Sequence, residues 1–279
     1  MNVLVTGGAG FIGRSVLSLL QISSIKHLSI DHKHTIQENS SCILMDVHNT
    51  TLLDEYIRLS NVVIHLIGNG ETQLCQSDPN DSFNQNILSL QLVLESCRKL
   101  GGKKIVFPSS AAVYGITEDV PIKETCPLSP NNTYAHHKVI CEKLIQMYHE
   151  QYGIKFVILR LFNVYGQGVK GIFTRFMQVS KQPTPTFEAF GVNQYRDFVY
   201  LGDVANALYL AATKDTADNK ILNIGSGVGT QIRDIIQMMS GVYPGVSVIE
   251  RPSNIPLYDH IADITKSRLL LGYEPKVMW

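Results

Sequence analysis

Short apolar runs alternate along the chain with stretches in which apolar side chains recur every three or four positions. The first run, at residues 3–5, leads into a glycine-spaced turn and then a helical pattern that reaches Leu20. Longer helical patterns cover residues 81–100 and 134–152. Five further apolar runs that predict buried strands lie at residues 27–30, 42–45, 62–67, 104–107 and 156–159. This alternation at βαβ spacing predicts an α/β fold with a Rossmann-type, doubly wound parallel sheet.

After Gly166 the alternation of apolar runs and helical patterns becomes less regular. A helix is expected over residues 173–181, a short strand over 198–200, and a helix that Asp203 caps and that runs to residue 212. A strand at 221–224 and a helix at 232–239 follow. The last forty residues are rich in proline and predict a small, loop-rich C-terminal lobe.

The charge balance and the cysteines narrow the class of protein. Acidic and basic residues number 24 each, so we expect no nucleic-acid or membrane surface. The chain opens on a strand and holds no apolar run near ~20 residues, so neither a signal peptide nor a membrane span is expected. Five scattered cysteines without a C-x-x-C pair are typical of a cytoplasmic protein with reduced thiols.

The turn after the first strand carries Gly7, Gly10 and Gly13, in the spacing G-x-x-G-x-x-G. Such a turn between a strand and a helix can hold a dinucleotide diphosphate on the free N–H groups of the helix. Asp31 ends the second run, where an acid can bind the adenosine ribose hydroxyls and favours NAD over NADP. His32 and Lys33 follow it, and because a cation there could face a 2′-phosphate, NADP remains an alternative. An ordinary strand–turn–helix corner is the structural alternative.

Tyr134 and Lys138 are four residues apart and share one face of a predicted helix. An ammonium near a tyrosine hydroxyl favours the phenolate, which can take a proton from an alcohol while hydride leaves its carbon. Ser110 lies at the carboxyl end of the fifth predicted strand and could hold the same oxygen. The alternative is an exposed polar pair on an amphipathic helix.

These motifs resemble the extended short-chain dehydrogenase/reductase family, in its nucleotide-sugar epimerase/dehydratase branch. The likeness runs nearly end to end, and the segments that carry it are T-G-G-A-G-F-I-G (6–13), D-P-N-D-S-F-N-Q-N-I (78–87), S-S-A-A-V-Y-G (109–115), Y-A-H-H-K (134–138), R-L-F-N-V-Y-G (160–166), R-D-F-V-Y-L-G-D-V-A (196–205), N-I-G-S-G (223–227) and A-D-I-T-K-S-R-L-L-L-G-Y-E-P (262–275).

The resemblance implies a role for each matching position. Tyr134 would be the acid/base, Lys138 would tune it and hold the nicotinamide ribose, and Ser110 would contact the sugar 4-hydroxyl. The remaining NAD-contacting positions would be Gly7, Gly10, Phe11, Ile12, Gly13, Asp31, Asp46, Val47 and Leu66. The positions for the nucleotide-sugar substrate would be Asn163, Arg196 and Arg251, although Asn254 replaces an acid that relatives often have.

Departures from the family pattern select among its reactions. Ala111 and Ala112 stand where the 4,6-dehydratases carry an acidic pair, so dehydration is disfavoured. A 4-epimerase that acts through a transient 4-keto sugar is the leading hypothesis. The alternative enzyme is an NAD(P)H-dependent 4-keto-6-deoxy nucleotide-sugar reductase, and a non-enzymatic NAD(H) sensor is the third possibility. His136 and His137 replace small residues and are expected to be exposed, with no metal ligated.

The resemblance also implies a domain plan and partners. Residues 1–165 would form the NAD-binding lobe, with 197–224 returning to it, while 166–196 and 225–279 would bind a UDP-, dTDP- or GDP-linked sugar. Relatives dimerise through the helices after the fourth and fifth strands, so a homodimer is expected. The residues that could make that contact, or that could equally pack onto the sheet, are Leu90, Leu94, Ile140 and Leu144.

Overall fold

Twelve strands lie in the part of the chain that the computed structural model describes, residues 1–32, 42–252 and 258–277. In chain order they are β1 (Asn2–Thr6), β2 (Lys26–Asp31), β3 (Cys42–Leu44), β4 (Val62–His65), β5 (Lys104–Ser110), β6 (Lys155–Leu161), β7 (Asn163–Tyr165), β8 (Thr186–Phe190), β9 (Tyr195–Tyr200), β10 (Lys220–Ile224), β11 (Gly229–Gln231) and β12 (Ser247–Arg251). Seven form one parallel sheet in the order β10-β6-β5-β4-β1-β2-β3. The predicted Rossmann-type α/β fold is confirmed.

Ten α-helices lie in the same described ranges. They are α1 (Phe11–Ile22), α2 (Thr50–Arg58), α3 (Thr72–Ser77), α4 (Pro79–Phe83), α5 (Ser89–Leu100), α6 (Thr133–Tyr152), α7 (Ile172–Val179), α8 (Leu201–Thr213), α9 (Ile232–Val242) and α10 (Thr265–Leu271). A π-helical turn at Asn84–Leu88 joins α4 to α5, and a 3₁₀ turn at Ala111–Tyr114 follows β5. No helix within these ranges has the length and apolar character needed to cross a membrane.

The large sheet is covered on both faces because its strands are apolar on both sides. In β1, Val3 and Val5 pack into a core with α1 and α8, whereas Leu4 packs into a second core with α2, α5 and α6. All three side chains are fully buried. The continuous apolar runs of the sequence therefore correspond to strands between two helical layers.

The strand order reverses between β1 and β4, which are neighbours in the sheet. From β1 the chain proceeds outward through β2 and β3, and from β4 it proceeds the other way through β5 and β6. At the carboxyl ends of the two central strands, Thr6 Oγ1 and His65 Nδ1 are 2.8 Å apart in a hydrogen bond. Ligands of open α/β sheets bind at such a reversal.

Strands and helices outside the large sheet and its two helical layers build a smaller lobe. Its strands form a β11-β9-β7 sheet and a β12-β8 pair, and its core gathers apolar side chains of α7, α9 and the surrounding strands, among them Phe176 and Ile235. The segment after residue 258 returns to the large sheet, where Leu271 and Tyr273 are fully buried in the α1–α8 core. The boundaries of the two lobes stay a prediction.

Two sequence expectations about helices are wrong. Asp203 does not cap α8, because Tyr200 occupies the N-cap and the Asp203 carboxylate instead accepts hydrogen bonds from the backbone N–H groups of Lys276 and Val277. His137 is buried rather than exposed, because α4 packs over it and its Nδ1 lies 3.0 Å from the Ser82 hydroxyl. His136 is exposed, as expected.

The residues expected at a dimer contact divide between core and surface. Leu90 and Leu94 are fully buried against the sheet, and Leu144 packs partly against the same core. Ile140 alone of the four is exposed, at 46 %. The homodimer stays a prediction, and among these four side chains Ile140 is the one that a partner can reach directly.

Candidate active site

The glycine turn joins β1 to α1 through two close backbone approaches. Gly7 has a left-handed φ of +80°, and its N–H donates to the Ile30 carbonyl. A Cβ at Gly13 would lie 2.4 Å from the Gly7 carbonyl oxygen, so only glycine lets α1 lie this close to the turn. Gly10 caps α1 without a side-chain hydrogen bond, which leaves the first helical N–H groups without a side-chain cap.

The acid at the end of β2 lies against this turn. Asp31 is 5 % exposed, and its Oδ2 accepts a hydrogen bond of 2.9 Å from the Ala9 N–H. Its Oδ1 lies 3.3 Å from His32 Nδ1. The carboxylate is therefore close to where a ribose next to the diphosphate would lie. Lys33, the other residue considered there, lies outside the described residues.

Asp46 and Val47 follow β3, beside the same end of the sheet. Asp46 is exposed, and hydrogen bonds from the His48 N–H and ring hold the pKa of its carboxyl below the usual range. Val47 is buried in the core under α2. Their proposed contact with an adenine stays a prediction.

A cavity of about 530 Å³ opens beside the glycine turn and brings the predicted catalytic residues together. Its walls include Ser110, Tyr134 and Lys138. Other residues predicted to bind the cofactor that line the same cavity are Gly7, Gly10, Phe11, Ile12, Gly13 and Leu66. Residues a hundred positions apart therefore face one cleft, as the resemblance implies.

Helix α6 and strand β5 place the three catalytic candidates. Asn132 caps α6 by accepting a hydrogen bond from the Ala135 N–H, which fixes the turn that carries Tyr134. The Lys138 Nζ donates to the Pro108 carbonyl at 2.8 Å and lies 5.8 Å from the centre of the Tyr134 ring. The Ser110 hydroxyl, at the end of β5, accepts from the Ala112 N–H at 3.2 Å.

A second cavity, of about 700 Å³, adjoins the first in the smaller lobe. Residues common to both cavities are Lys170, Gly171, Ile172, Arg196 and Ile232. At the boundary between them, the Lys170 ammonium and the Glu71 carboxylate form an ion pair. The two cavities therefore meet at a shared wall in which Arg196 lies.

The three predicted substrate residues have different surroundings. Asn163 lines the first cavity and donates from Nδ2 to the Asp197 carbonyl at 3.1 Å. Arg196 donates to the Gln194 side chain and the Tyr258 carbonyl, and burial lowers its pKa. Arg251 forms an exposed ion pair of 2.9 Å with Glu188 and is not among the described residues that line either cavity. Asn254 lies outside the described residues.

Sequence reasoning gave no role to Asn86, which holds the backbone of Asn69, a residue in the wall of the first cavity. It lies in the π-helical turn and is 3 % exposed. Its Oδ1 accepts from the Asn69 N–H at 2.8 Å, and its Nδ2 donates to the Asn69 carbonyl at 3.2 Å. Asn86 thereby fixes the loop after β4. A π turn is frequent at functional sites, but its position could not be read from the helical periodicity of residues 81–100.

Comparisons with known proteins match the chain to a sequence family and to named relatives. Residues 3–225 match the sequence profile of the NAD dependent epimerase/dehydratase family. The chain is 34 % identical over 292 residues to a putative UDP-glucose 4-epimerase of Methanocaldococcus jannaschii, covering 99 % of this chain and 93 % of that protein. It is 30 % identical to a UDP-glucose 4-epimerase of Azospirillum brasilense, over 99 % and 87 % of the two chains.

Two crystal structures show the same fold at full length. The UDP-glucose 4-epimerase of Thermotoga maritima with UDP-glucose superposes with a TM-score of 0.88 and 28 % identity, covering 100 % of this chain and 94 % of the other. The UDP-glucose 4-epimerase of Thermus thermophilus with NAD gives 0.86 and 29 %, over 100 % and 95 %.

Proposed function

This chain belongs to the NAD dependent epimerase/dehydratase family, and on that premise we propose that it is an NAD-dependent 4-epimerase of UDP-linked hexoses. The observation that carries the proposal is the meeting of Ser110, Tyr134 and Lys138 in one cleft beside the glycine turn. Relatives named UDP-glucose 4-epimerase, one of them crystallised with UDP-glucose and one with NAD, favour this substrate and cofactor.

The glycine turn fits NAD. Because Gly13 has no Cβ, α1 can begin directly against the turn, and the uncapped start of α1 offers N–H groups to a diphosphate. Asp31 is placed to accept hydrogen bonds from ribose hydroxyls and would repel a 2′-phosphate, which favours NAD over NADP. Bound NAD would supply the redox chemistry, as acceptor and donor of hydride at the sugar C4.

The protein's own residues handle the proton and the position of the sugar oxygen. Tyr134 removes the proton of the C4 hydroxyl as the 4-keto sugar forms, and gives it back to the same oxygen after the sugar has turned. The Lys138 ammonium, buried near the ring, stabilises the phenolate. Ser110 holds the oxygen by a hydrogen bond, so that the substrate is oriented before the proton moves.

The smaller lobe would bind the rest of the nucleotide sugar. Arg196 and Asn163 line the first cavity, where they can contact a diphosphate, and Arg196 extends into the second. Arg251 would need to leave Glu188 to reach a ligand. In this arrangement the two lobes bind different ligands, and the reaction takes place at their junction.

Two observations weigh against the other reactions. The positions after Ser110 are Ala111 and Ala112, which offer no acid or base for the elimination of water. Asp31 disfavours the NADPH that reductases of this branch often use. A sensor without catalytic function has no need of the paired Tyr134 and Lys138.

The variant Tyr134→Phe tests the proposal. Because it removes the acid/base hydroxyl and keeps the ring, conversion of UDP-galactose into UDP-glucose should slow by about 10²- to 10⁴-fold. Cofactor extracted from both proteins should be NAD, in equal amounts. Unchanged turnover in the variant would remove Tyr134 from the mechanism. A wild-type protein that takes up only NADPH and reduces 4-keto sugars would replace the epimerase with the reductase.

A further inference from the structure

Helix α6 is tied to the end of β5 at two consecutive residues. The Lys138 Nζ donates to the Pro108 carbonyl at 2.8 Å, and one turn further along the helix the Glu142 Oε1 accepts a 2.5 Å hydrogen bond from the Ser109 hydroxyl. The next residue of the strand is Ser110, whose hydroxyl is expected to hold the substrate oxygen. The spacing of Lys138 and Glu142 puts both on the face of α6 that carries Tyr134.

The Glu142 carboxylate is itself held rigidly. Arg160, on β6, donates from Nη2 to Glu142 Oε2 at 2.7 Å and from Nε to Oε1 at 3.0 Å. The Arg160 Nη1 also donates to the Tyr114 hydroxyl at 3.0 Å. Glu142 and Arg160 are only 2 % and 3 % exposed. Because hydrogen bonds engage both carboxylate oxygens, they hold the carboxylate in one orientation.

We propose that Glu142 is a positioning residue that, through Ser109, fixes Ser110 relative to Tyr134. The inference rests on the proposed function, since it assigns those two residues to one substrate oxygen. The hydrogen bond from Lys138 comes from a side chain with more rotatable bonds than that of Glu142, so it can adjust to a movement of β5. The hydrogen bond between Ser109 and Glu142 is shorter, and Arg160 holds the Glu142 carboxylate in place. This second hydrogen bond therefore sets the distance between the end of β5 and α6.

The test is Ser109→Ala, which removes one hydrogen bond and leaves the Glu142–Arg160 pair intact. Ser96→Ala is the matched control. Ser96, on α5, is also a buried serine, and its hydroxyl donates to the carboxylate of Asp54 on α2. With UDP-galactose as substrate, kcat of Ser109→Ala should fall about 10- to 100-fold while KM stays within about twofold. Ser96→Ala should keep the wild-type kcat.

Crystal structures of both variants give a readout that does not need activity. In Ser109→Ala the Ser110 Oγ should move relative to the Tyr134 hydroxyl by more than about 0.5 Å, the tolerance of a catalytic constellation. In Ser96→Ala that distance should be unchanged. An unmoved Ser110 together with an unchanged kcat would overturn the positioning role, as would an equal kcat loss in the control. If the wild-type protein epimerises no nucleotide sugar, the proposed function fails, and the displacement alone decides this inference.

Discussion

Replacing Gly13 by alanine should damage both the fold and the cofactor site. The added Cβ would meet three backbone atoms, the Gly7 carbonyl oxygen at 2.4 Å, the Gly8 Cα at 2.6 Å and the Gly8 carbonyl carbon at 2.8 Å. Ordinary contacts begin at 3.4 Å, so α1 must withdraw from the turn by about 0.6 to 1.0 Å. Backbone on both sides cannot yield as a flexible side chain would.

Such overpacking costs about 1–3 kcal/mol of unfolding free energy, more than the few tenths that alanine gains in helix propensity at an N-terminal position. In a protein of this size each kcal/mol lowers Tm by about 2–4 °C. The N–H groups of the first turn of α1 move with the helix. Losing one charge-assisted hydrogen bond to the diphosphate, worth about 1.5–3 kcal/mol, should weaken NAD binding by roughly 10- to 150-fold.

The matched variant is Gly10→Ala, which separates the two effects. Its Cβ would approach only the Gly7 carbonyl oxygen, at 3.3 Å, and Gly10 lines the cleft itself. We expect a loss below about 1 kcal/mol in the apo protein, with NAD binding still weakened. Thermal unfolding of both apo variants and calorimetric titration with NAD are the measurements. A Gly13→Ala protein with the wild-type Tm and NAD affinity would refute the argument from close approach.

Two further predictions concern buried polar side chains. Burial lowers the pKa of His260 to about 4, against about 6.5 in the unfolded chain. The unfolded state therefore takes up the proton first, and the free energy of unfolding falls as pH drops from 6.5 toward 4. Between pH 7 and pH 5 this loss should be about 2 kcal/mol, so denaturant unfolding of His260→Phe should depend less on pH by that amount, and an identical pH dependence in both proteins would contradict the prediction. Asn86→Ala removes both hydrogen bonds to the Asn69 backbone, which should lower the local opening free energy of that loop by about 1–3 kcal/mol. Hydrogen exchange at the Asn69 amide should then be roughly 5- to 150-fold faster, and unchanged protection would show that the loop is held by other contacts.

The sequence was most informative where a local pattern determines the structure. Strands buried on both faces need continuous apolar runs, and a turn with close backbone approaches needs glycine, so the Rossmann-type fold and the tight turn at Gly7 and Gly13 were both predictable. The short strands β7, β8, β11 and β12 were not, because three to five residues carry too little periodicity and their partners are distant in sequence.

Side-chain partnerships across elements were the part that the sequence could not reveal. Glu142 and Arg160 are 18 positions apart, and only the packing of α6 on β6 brings them to 2.7 Å. His137 was expected to be exposed on its helix, yet α4 covers it. In both cases the deciding contact comes from tertiary packing, which overrides the preference of a single residue.

The reversal of strand order at β1 has a consequence for the nascent polypeptide. While the ribosome has released only the first sixty residues, β1 can pair with β2 on one side, and its other edge has no neighbour until Val62–His65 emerges. An open, apolar edge is a template for intermolecular pairing. This edge of β1 therefore stays open to pairing with another chain until Val62–His65 has been synthesised.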